Sequence, residues 1–276
     1  MMKYSGLCAV RNIIKLTEKI YSIQIECPEI AQACRPGQFI QIKLLDYQAS
    51  IWPRPFSIHN AADGLITISI KKYGKITGLM EELKPGDQLY VTGPLGNSFN
   101  LPHKGREIYF AAGGVGLPPL HFYCAQLIEE GYSPGMIHFY SGARNRAELF
   151  SDTEVKKLGV DYVVGTDDGS EGIKGFITEP LSLELMRRRT GENSFEPIIF
   201  GCGPVLMMKK LTELCYNLPC YLSLEQLMPC GWGVCNGCAI KIKVKDNEQT
   251  EDERGFRLAR VCREGPIFKA SEVIWD

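Results

Sequence analysis

Four cysteines crowd the last fifth of the chain in a spacing that suits metal chemistry: Cys230-x4-Cys235-x2-Cys238, followed by Cys262. Two ferric ions bridged by sulfides need four terminal thiolates. A tight loop can wrap three of these around a 2Fe–2S cluster while the fourth arrives from a remote strand. Gly231, Gly233 and Gly237 give the loop its backbone freedom and leave amides free to donate to sulfur. Structural zinc is the rival occupant. Zinc sites usually pair two short cysteine knuckles, whereas this chain has a single Cys-x2-Cys with an extra cysteine four residues before it. Buried free thiols are the remaining reading. No histidine lies near these positions, which excludes a Rieske arrangement.

A second set of residues suits phosphate and nucleotide. Gly113-Gly114-Val115-Gly116 stands where an apolar strand ends and a helix begins, so its backbone can approach a pyrophosphate. It is not the common Gly-x-Gly-x-x-Gly fingerprint, and a plain tight turn is the competing reading. Gly165-Thr166-Asp167-Asp168-Gly169-Ser170 and Phe200-Gly201-Cys202-Gly203-Pro204 each follow a strand. In an open parallel sheet all three segments face one cleft beyond the strand ends. That makes Gly113, Gly114, Gly116, Asp168, Cys202 and Gly203 candidates for nucleotide contact, with Cys202 alternatively a buried small side chain. Asp167 and Asp168 disfavour a 2′-phosphate if they reach the ribose. Nearer the N-terminus, Arg54-Pro55-Phe56-Ser57 offers charge, paired donors, a hydroxyl and a ring that can lie against a flat ligand, a set that can hold a phosphate, with an ordinary turn bearing a surface arginine as the competing reading. Gly93-Pro94-Leu95-Gly96-Asn97-Ser98-Phe99 reads as a rigid turn that shapes the cleft.

These residues need three kinds of scaffold. Up to about residue 100, Tyr21, Ile23, Ile25 and Cys27, then Ile40, Ile42 and Leu44, then Ile66, Ile68 and Ile70 alternate with polar residues, a pattern of half-buried strands. Arg35-Pro36-Gly37, Ala62-Asp63-Gly64 and Lys84-Pro85-Gly86-Asp87 punctuate them, giving a small antiparallel barrel. Beyond Leu101 the pattern turns to alternating strands and helices. Strands are expected over 107–112, 136–140, 162–164 and 198–200, and helices from Pro118 or Pro119 to about 130 and over 204–214, as in a parallel nucleotide-binding sheet. From about Ser223 a cysteine- and glycine-rich segment takes over, with a polar stretch over 245–254. The expected fold is multidomain β plus α/β: an antiparallel β-barrel over 1–101, a parallel-sheet nucleotide-binding α/β domain over 102–222 and a small 2Fe–2S domain over 223–276.

Composition excludes several classes. Thirty-one Lys and Arg against 32 Asp and Glu leave a net charge of −1, too little positive charge for a nucleic-acid groove. A hydrophobic fraction of 45% is enough to bury a core. No uninterrupted apolar run has the roughly 18 residues that span a bilayer. The richest, over 197–208, is broken by Gly201, Gly203 and Pro204, and the first twelve residues carry no signal-peptide run. The expectation is a soluble, cytoplasmic protein without disulfides, although it has eleven cysteines.

Taken in order, Arg-Pro-Phe-Ser, Gly-Pro-Leu-Gly-Asn-Ser-Phe, Gly-Gly-Val-Gly-Leu-Pro-Pro and Cys-Gly-Pro resemble the ferredoxin–NADP reductase superfamily. Ser223-Leu224-Glu225-Gln226 before the cysteine loop, Val261-Cys262-Arg263-Glu264-Gly265-Pro266-Ile267-Phe268 after it and the closing Ser271-Glu272-Val273-Ile274 look more specifically like the electron-transfer subunits of class 1B dihydroorotate dehydrogenases. That resemblance spans essentially the whole chain. It implies FAD and a 2Fe–2S cluster held by Cys230, Cys235, Cys238 and Cys262, with NAD(H) as substrate. It also implies an FMN-containing catalytic partner in a heterotetramer of two plus two, serving pyrimidine (UMP) biosynthesis. No catalytic acid or base is implied on this chain. FAD contacts are implied at Arg54, Pro55, Phe56 and Ser57, at Ile70, Lys71 and Lys72, and at Ile76 and Thr77. Two features depart from the family pattern: Ile76 stands where glycine is expected, and 23 residues separate Cys238 from Cys262. A reductase subunit of a hydrogenase, of a sulfide dehydrogenase or of a bifurcating transhydrogenase shares the same motifs. A zinc-stabilised binding module without redox activity is the alternative of another class.

Overall fold

A computed structural model of the chain describes residues 4–45, 52–189, 197–244 and 255–275. The polar stretch expected over 245–254 lies outside these residues.

The N-terminal part is built from β1 (Tyr4–Lys15), β2 (Ile20–Glu26), α1 (Pro28–Ala33), β3 (Phe39–Leu44), β4 (Arg54–Ser57), β5 (Asn60–Ala62), β6 (Leu65–Lys71), α2 (Lys75–Glu81) and β7 (Gln88–Leu95). Its strands form one antiparallel sheet in the order β4-β3-β7-β1-β2-β6-β5. The sheet curls closed just after β4, where Ile58 N–H donates to Gln38 O and His59 N–H to Thr67 O. The alternating residues Ile23, Ile25, Ile40, Ile42, Ile66, Ile68 and Ile70 all lie inside. Asp63 and Gly64 take the positive φ of a two-residue hairpin between β5 and β6. The helices α1 and α2 have no counterpart in the sequence reading. They span six and seven residues in the connections, too short for a 3.6-residue period to register.

The second part contains β8 (Ile108–Gly113), α3 (Leu117–Glu129), β9 (Ile137–Ala143), α4 (Asp152–Lys157), β10 (Asp161–Thr166), β11 (Ile173–Lys174), α5 (Thr178–Arg189), β12 (Ile198–Cys202), α6 (Val205–Leu214) and β13 (Cys220–Ser223). These strands pair in parallel. β8 is buried along its whole length, and its two faces serve different cores. Phe110 packs in one with Leu120, Tyr123 and Leu127 of α3. Tyr109 and Ala111 pack in the other with Leu181 of α5 and Met208 and Leu211 of α6. Helices on both faces explain why this strand reads as a continuous apolar run.

The C-terminal part adds β14 (Ala239–Lys243), β15 (Phe256–Arg260) and β16 (Ile267–Lys269). β14 and β15 form a hairpin ladder of their own. β16 instead joins the edge of the nucleotide sheet, antiparallel to β13, with Leu222 opposite Phe268. The boundary expected near residue 222 therefore falls within β13. Cys238, Ile242, Val261 and Phe268 share one continuous apolar core with Met208, Leu211 and Leu222. Trp275 Nε1 donates to Thr212 Oγ1 on α6 at 3.0 Å. Among the described residues, no helix is long and apolar enough to cross a membrane.

Asn97 ties the barrel to this C-terminal part. Its Nδ2 donates to Glu264 O (2.9 Å) and Ile267 O (3.1 Å), and its Oδ1 accepts from Ile267 N–H (3.0 Å). Next to it, Gly96 takes φ +76°, and a Cβ there would stand 2.6 Å from Pro266. The Gly93–Phe99 turn is thus a docking surface for the chain around Gly265. Asn97→Ala removes three partly buried hydrogen bonds, a loss of about 2–4 kcal/mol. A urea titration followed by fluorescence, with Trp232 and Trp275 both in the C-terminal part, is expected to show an earlier transition for this variant.

Candidate functional site

The three parts meet around a cleft of about 530 Å³. The barrel contributes Pro55, Phe56 and Ser57 from β4, Ser69, Ile70 and Lys71 from β6, and Thr77 from α2. The nucleotide part contributes Val115 and Pro118 at the entry to α3. The third wall is the segment from Ser223 to Met228, with Pro266 beside it. Of the residues expected at a flavin, Pro55, Phe56, Ser57, Ile70, Lys71 and Thr77 are therefore brought together. The ring-shaped demand of a flavin fits this mostly apolar cleft, which has hydroxyls at Ser57, Ser69 and Thr77.

The other expected flavin contacts lie elsewhere. Arg54 adjoins the cleft at the start of β4, but its guanidinium folds back to donate to Trp52 O (2.8 Å) and Pro53 O (3.3 Å). Lys72 points to Glu81 on α2, with Nζ 2.7 Å from Oε2. Ile76 packs against the barrel core, which accounts for an apolar residue at that position. Thr77 also serves its own helix. Its Oγ1 accepts from Tyr73 N–H and Gly74 N–H and so closes the first turn of α2. Lys71 bonds across to the nucleotide part, with Nζ 2.7 Å from Oε2 of the buried Glu148.

At the carboxyl edge of the parallel sheet, two glycine loops touch. A Cβ on Gly116 would lie 2.2 Å from Cys202 O, and one on Gly203 would lie 3.0 Å from Gly113 Cα. Only glycine lets the β8–α3 and β12–α6 turns approach this closely. Gly114 has open space around it and takes φ +53°. Gly113, Gly114, Gly116 and Gly203 are thus assembled at one place. Asp168 follows β10, two strands away in the sheet order. Its Oδ1 accepts from Ser170 N–H (2.9 Å) and Oγ (2.6 Å), bonds that hold its carboxyl below the usual range. Asp167 beside it is raised by burial. Cys202 is 1% exposed and burial raises its thiol, so it is a packed side chain at the strand end.

The cysteine loop starts at the cleft wall. Gln41 on β3, 2% exposed, donates from Nε2 to Met228 O at 2.8 Å. Gly231 (φ +69°) must be glycine here, since a Cβ would fall 2.5 Å from the Gln41 side chain. Amides point at three sulfurs, each at 3.4 Å: Trp232 N–H to Cys230, Gly237 N–H to Cys235 and Cys262 N–H to Cys238. Burial works against ionisation of Cys230, but the backbone amides of Cys235, Trp232 and Val234 outweigh it and hold the thiol at about 6. Burial pushes Cys262 up to about 12, with Cys238 adding to the shift, and the positive charge of a bound metal favours the thiolate. Arg260 clamps the loop, donating from Nη1 to Gly233 O at 2.6 Å and pairing with Glu264. Four thiols with inward amides, two of them at a partly open face, suit a 2Fe–2S cluster.

The sequence reading had no signal for some of this. Ser69, Gln41 and Met228 acquire their roles only through long-range packing, and Leu224 and Glu225 stood out only as part of the Ser223-Leu224-Glu225-Gln226 motif, not as a wall of the cleft. Glu225 lines the cleft. Gln41 occupies a polar position of the Ile40–Leu44 alternation, where an outward side chain is expected, yet it is buried.

Comparison with known proteins agrees with this geometry. Residues 225–274 match the family model for the iron–sulfur cluster binding domain of dihydroorotate dehydrogenase B, and residues 8–113 match the oxidoreductase FAD-binding domain. The dihydroorotate dehydrogenase B (NAD(+)) electron transfer subunit of Desulforamulus reducens is 32% identical over 271 residues, 97% of each chain. That of Caldanaerobacter subterraneus is 33% identical over 277 residues, covering 99% of this chain and all of the relative. Among solved structures, one of an NADH-dependent reduced ferredoxin-NADP oxidoreductase, described for flavin-based electron bifurcation, superposes with a TM-score of 0.81 at 29% identity, covering 99% of this chain and 92% of that one. The ferredoxin reductase of carbazole 1,9a-dioxygenase shares the fold at a TM-score of 0.67 over 79% of this chain and 68% of its own, with 24% identity. By full-length similarity to its relatives and by the match of its cysteine segment, the chain belongs to the family of dihydroorotate dehydrogenase B electron transfer subunits.

Proposed function

We propose that this chain carries electrons between a dihydroorotate dehydrogenase catalytic subunit and NAD, using FAD and a 2Fe–2S cluster, in the synthesis of pyrimidines. The observation that carries this reading is the shared wall: the segment lining the cleft up to Met228 runs within two residues into Cys230. A flavin bound in the cleft supplies hydride exchange with a nicotinamide and single-electron exchange with a cluster. The chain's own contribution is placement. Pro55, Phe56, Ser57 and Ile70 form the barrel wall, while Leu224 and Met228 keep water from the side towards the cluster. Gly113, Gly114, Gly116 and Gly203 leave backbone room for a pyrophosphate at the sheet edge, with Asp168 on the outer loop and Cys202 packed behind them. Cys230, Cys235, Cys238 and Cys262 hold the irons, and the amides of Trp232, Gly237 and Cys262 stabilise charge on the sulfurs. The proton-removing base for dihydroorotate belongs to the partner on this reading. FMN on that partner, a two-plus-two assembly and a cytoplasmic setting rest on the family resemblance.

A second reading is favoured by one observation, the 0.81 TM-score to the NADH-dependent reduced ferredoxin-NADP oxidoreductase. In that case the same cofactors serve a bifurcating reductase. Affinity purification of the tagged native chain separates the two: recovery of an FMN-bearing dihydroorotate dehydrogenase supports the first, and recovery of a different flavoprotein or a nickel protein overturns it.

Two variants test the placement. Ser57→Leu adds bulk to the cleft wall and is expected to lower FAD per chain, measured from the absorbance of released flavin, with iron content unchanged. Cys235→Ser is expected to retain most NADH-to-dye activity while stopping electron flow to the partner. Equal loss of both activities would count against a path running from nucleotide through flavin to cluster.

A further inference from the structure

On the far side of the barrel motif, His59, His121 and Glu154 come together from three different elements. His59 follows β4, two residues beyond Ser57; His121 lies on α3 and Glu154 on α4. One ligating atom from each lies within 4.8 Å of the other two. His59 Nε2 stands 3.7 Å from Glu154 Oε2, and the two imidazoles meet edge to face at a centroid separation of 4.8 Å.

Two features separate this group from a chance cluster. His59 is only 4% exposed, yet its Nε2 has no hydrogen-bond partner, and the buried Nδ1 of His121 has none either. Buried ring nitrogens left unpaired in this way are costly unless something else occupies them. The opposite nitrogen of His59 is already oriented: Nδ1 lies 2.7 Å from Ser69 Oγ, the outer partner that sets a ligating imidazole's tautomer and direction. With Nδ1 donating to Ser69, the Nε2 lone pair is turned towards His121 and Glu154.

We propose that His59, His121 and Glu154 form a binding site for one divalent ion of the zinc class, joining the flavin barrel to the nucleotide part. Two imidazoles and one carboxylate are a borderline donor set that suits zinc and leaves a fourth position open to water. Ligands of a tetrahedral zinc stand roughly 3.3 Å apart, given metal–ligand bonds of about 2.0–2.1 Å. The three atoms, at most 4.8 Å apart, must therefore close by up to about 1.5 Å, and the Glu154 side chain, 52% exposed, has room to move inward. The same exposure gives the ion a route from solvent. The ion would sit directly behind the cleft, because Ser69 both lines it and bonds to His59. This site uses none of the cluster cysteines.

The test uses the intact protein with flavin and cluster in place. After removal of adventitious metal with a mild chelator, zinc is titrated against a chromophoric competitor, and metal per chain is counted by elemental analysis after gel filtration. Flavin and iron per chain are followed throughout, so that zinc entering the cysteine loop is detected as lost iron. The expected result is one zinc per chain with iron unchanged, together with a zinc-dependent rise in thermal midpoint. Glu154→Gln and His121→Gln should each weaken that binding by more than the roughly 10- to 100-fold that loss of a mere supporting partner costs, and should abolish the rise. Glu154 lies on an exposed helix face, so its variant keeps the test decisive if His121→Gln misfolds. Failure of the wild type to take up zinc at full iron content would overturn the site, as would equal uptake by Glu154→Gln. Neither result bears on the electron-transfer reading.

Discussion

The side-chain amide of Asn97, bonded three times to the backbone between Glu264 and Ile267, is the joint on which the arrangement depends. It lies just beyond the barrel's last strand and grips the chain just after Cys262, the fourth proposed cluster ligand. Gln41 makes a second attachment just before the first ligand, at Met228. The cysteine loop is therefore pinned to the barrel on both sides of its cysteines, and β3, which carries Gln41, pairs with β4, whose residues line the cleft. A relay of electrons needs a constant separation between its stations, and here that separation is set by a few directional bonds rather than by a flexible linker.

Much of this was legible in the sequence because the signals are local. Alternation at Ile23, Ile25, Ile66, Ile68 and Ile70 marks the barrel interior, and the continuous run of β8 marks a strand covered on both faces. The cysteine spacing was readable because a small cluster demands a small loop. What could not be read depends on distant pairing. Nothing local announces that residues 267–269 complete the nucleotide sheet, that Glu148 answers Lys71, or that Gln41 turns inward to a carbonyl 187 residues away. Lys72 illustrates the converse. Its neighbour Lys71 lines the cleft, while strand alternation and a nearby Glu81 send Lys72 the other way.

The glycines divide by cause in an instructive way. Gly64 is needed for a positive φ in a hairpin, whereas Gly116 is needed because a neighbouring backbone occupies the space a side chain would take. The first kind is visible as a turn signal. The second is visible only once β8 and β12 are seen side by side, although it is the one that lets the two turns at the sheet edge touch.

The placement of β16 has a wider consequence. By pairing with β13 it makes the margin of the nucleotide sheet a strand of only three residues, whose Ile267 amide and carbonyl are already bonded to Asn97 and so not offered to a foreign strand. The redox tail thus doubles as a guard against self-association. A lineage that shed its cluster would have to find another cover for that rim, which makes the metal-bearing segment harder to discard than its small size suggests.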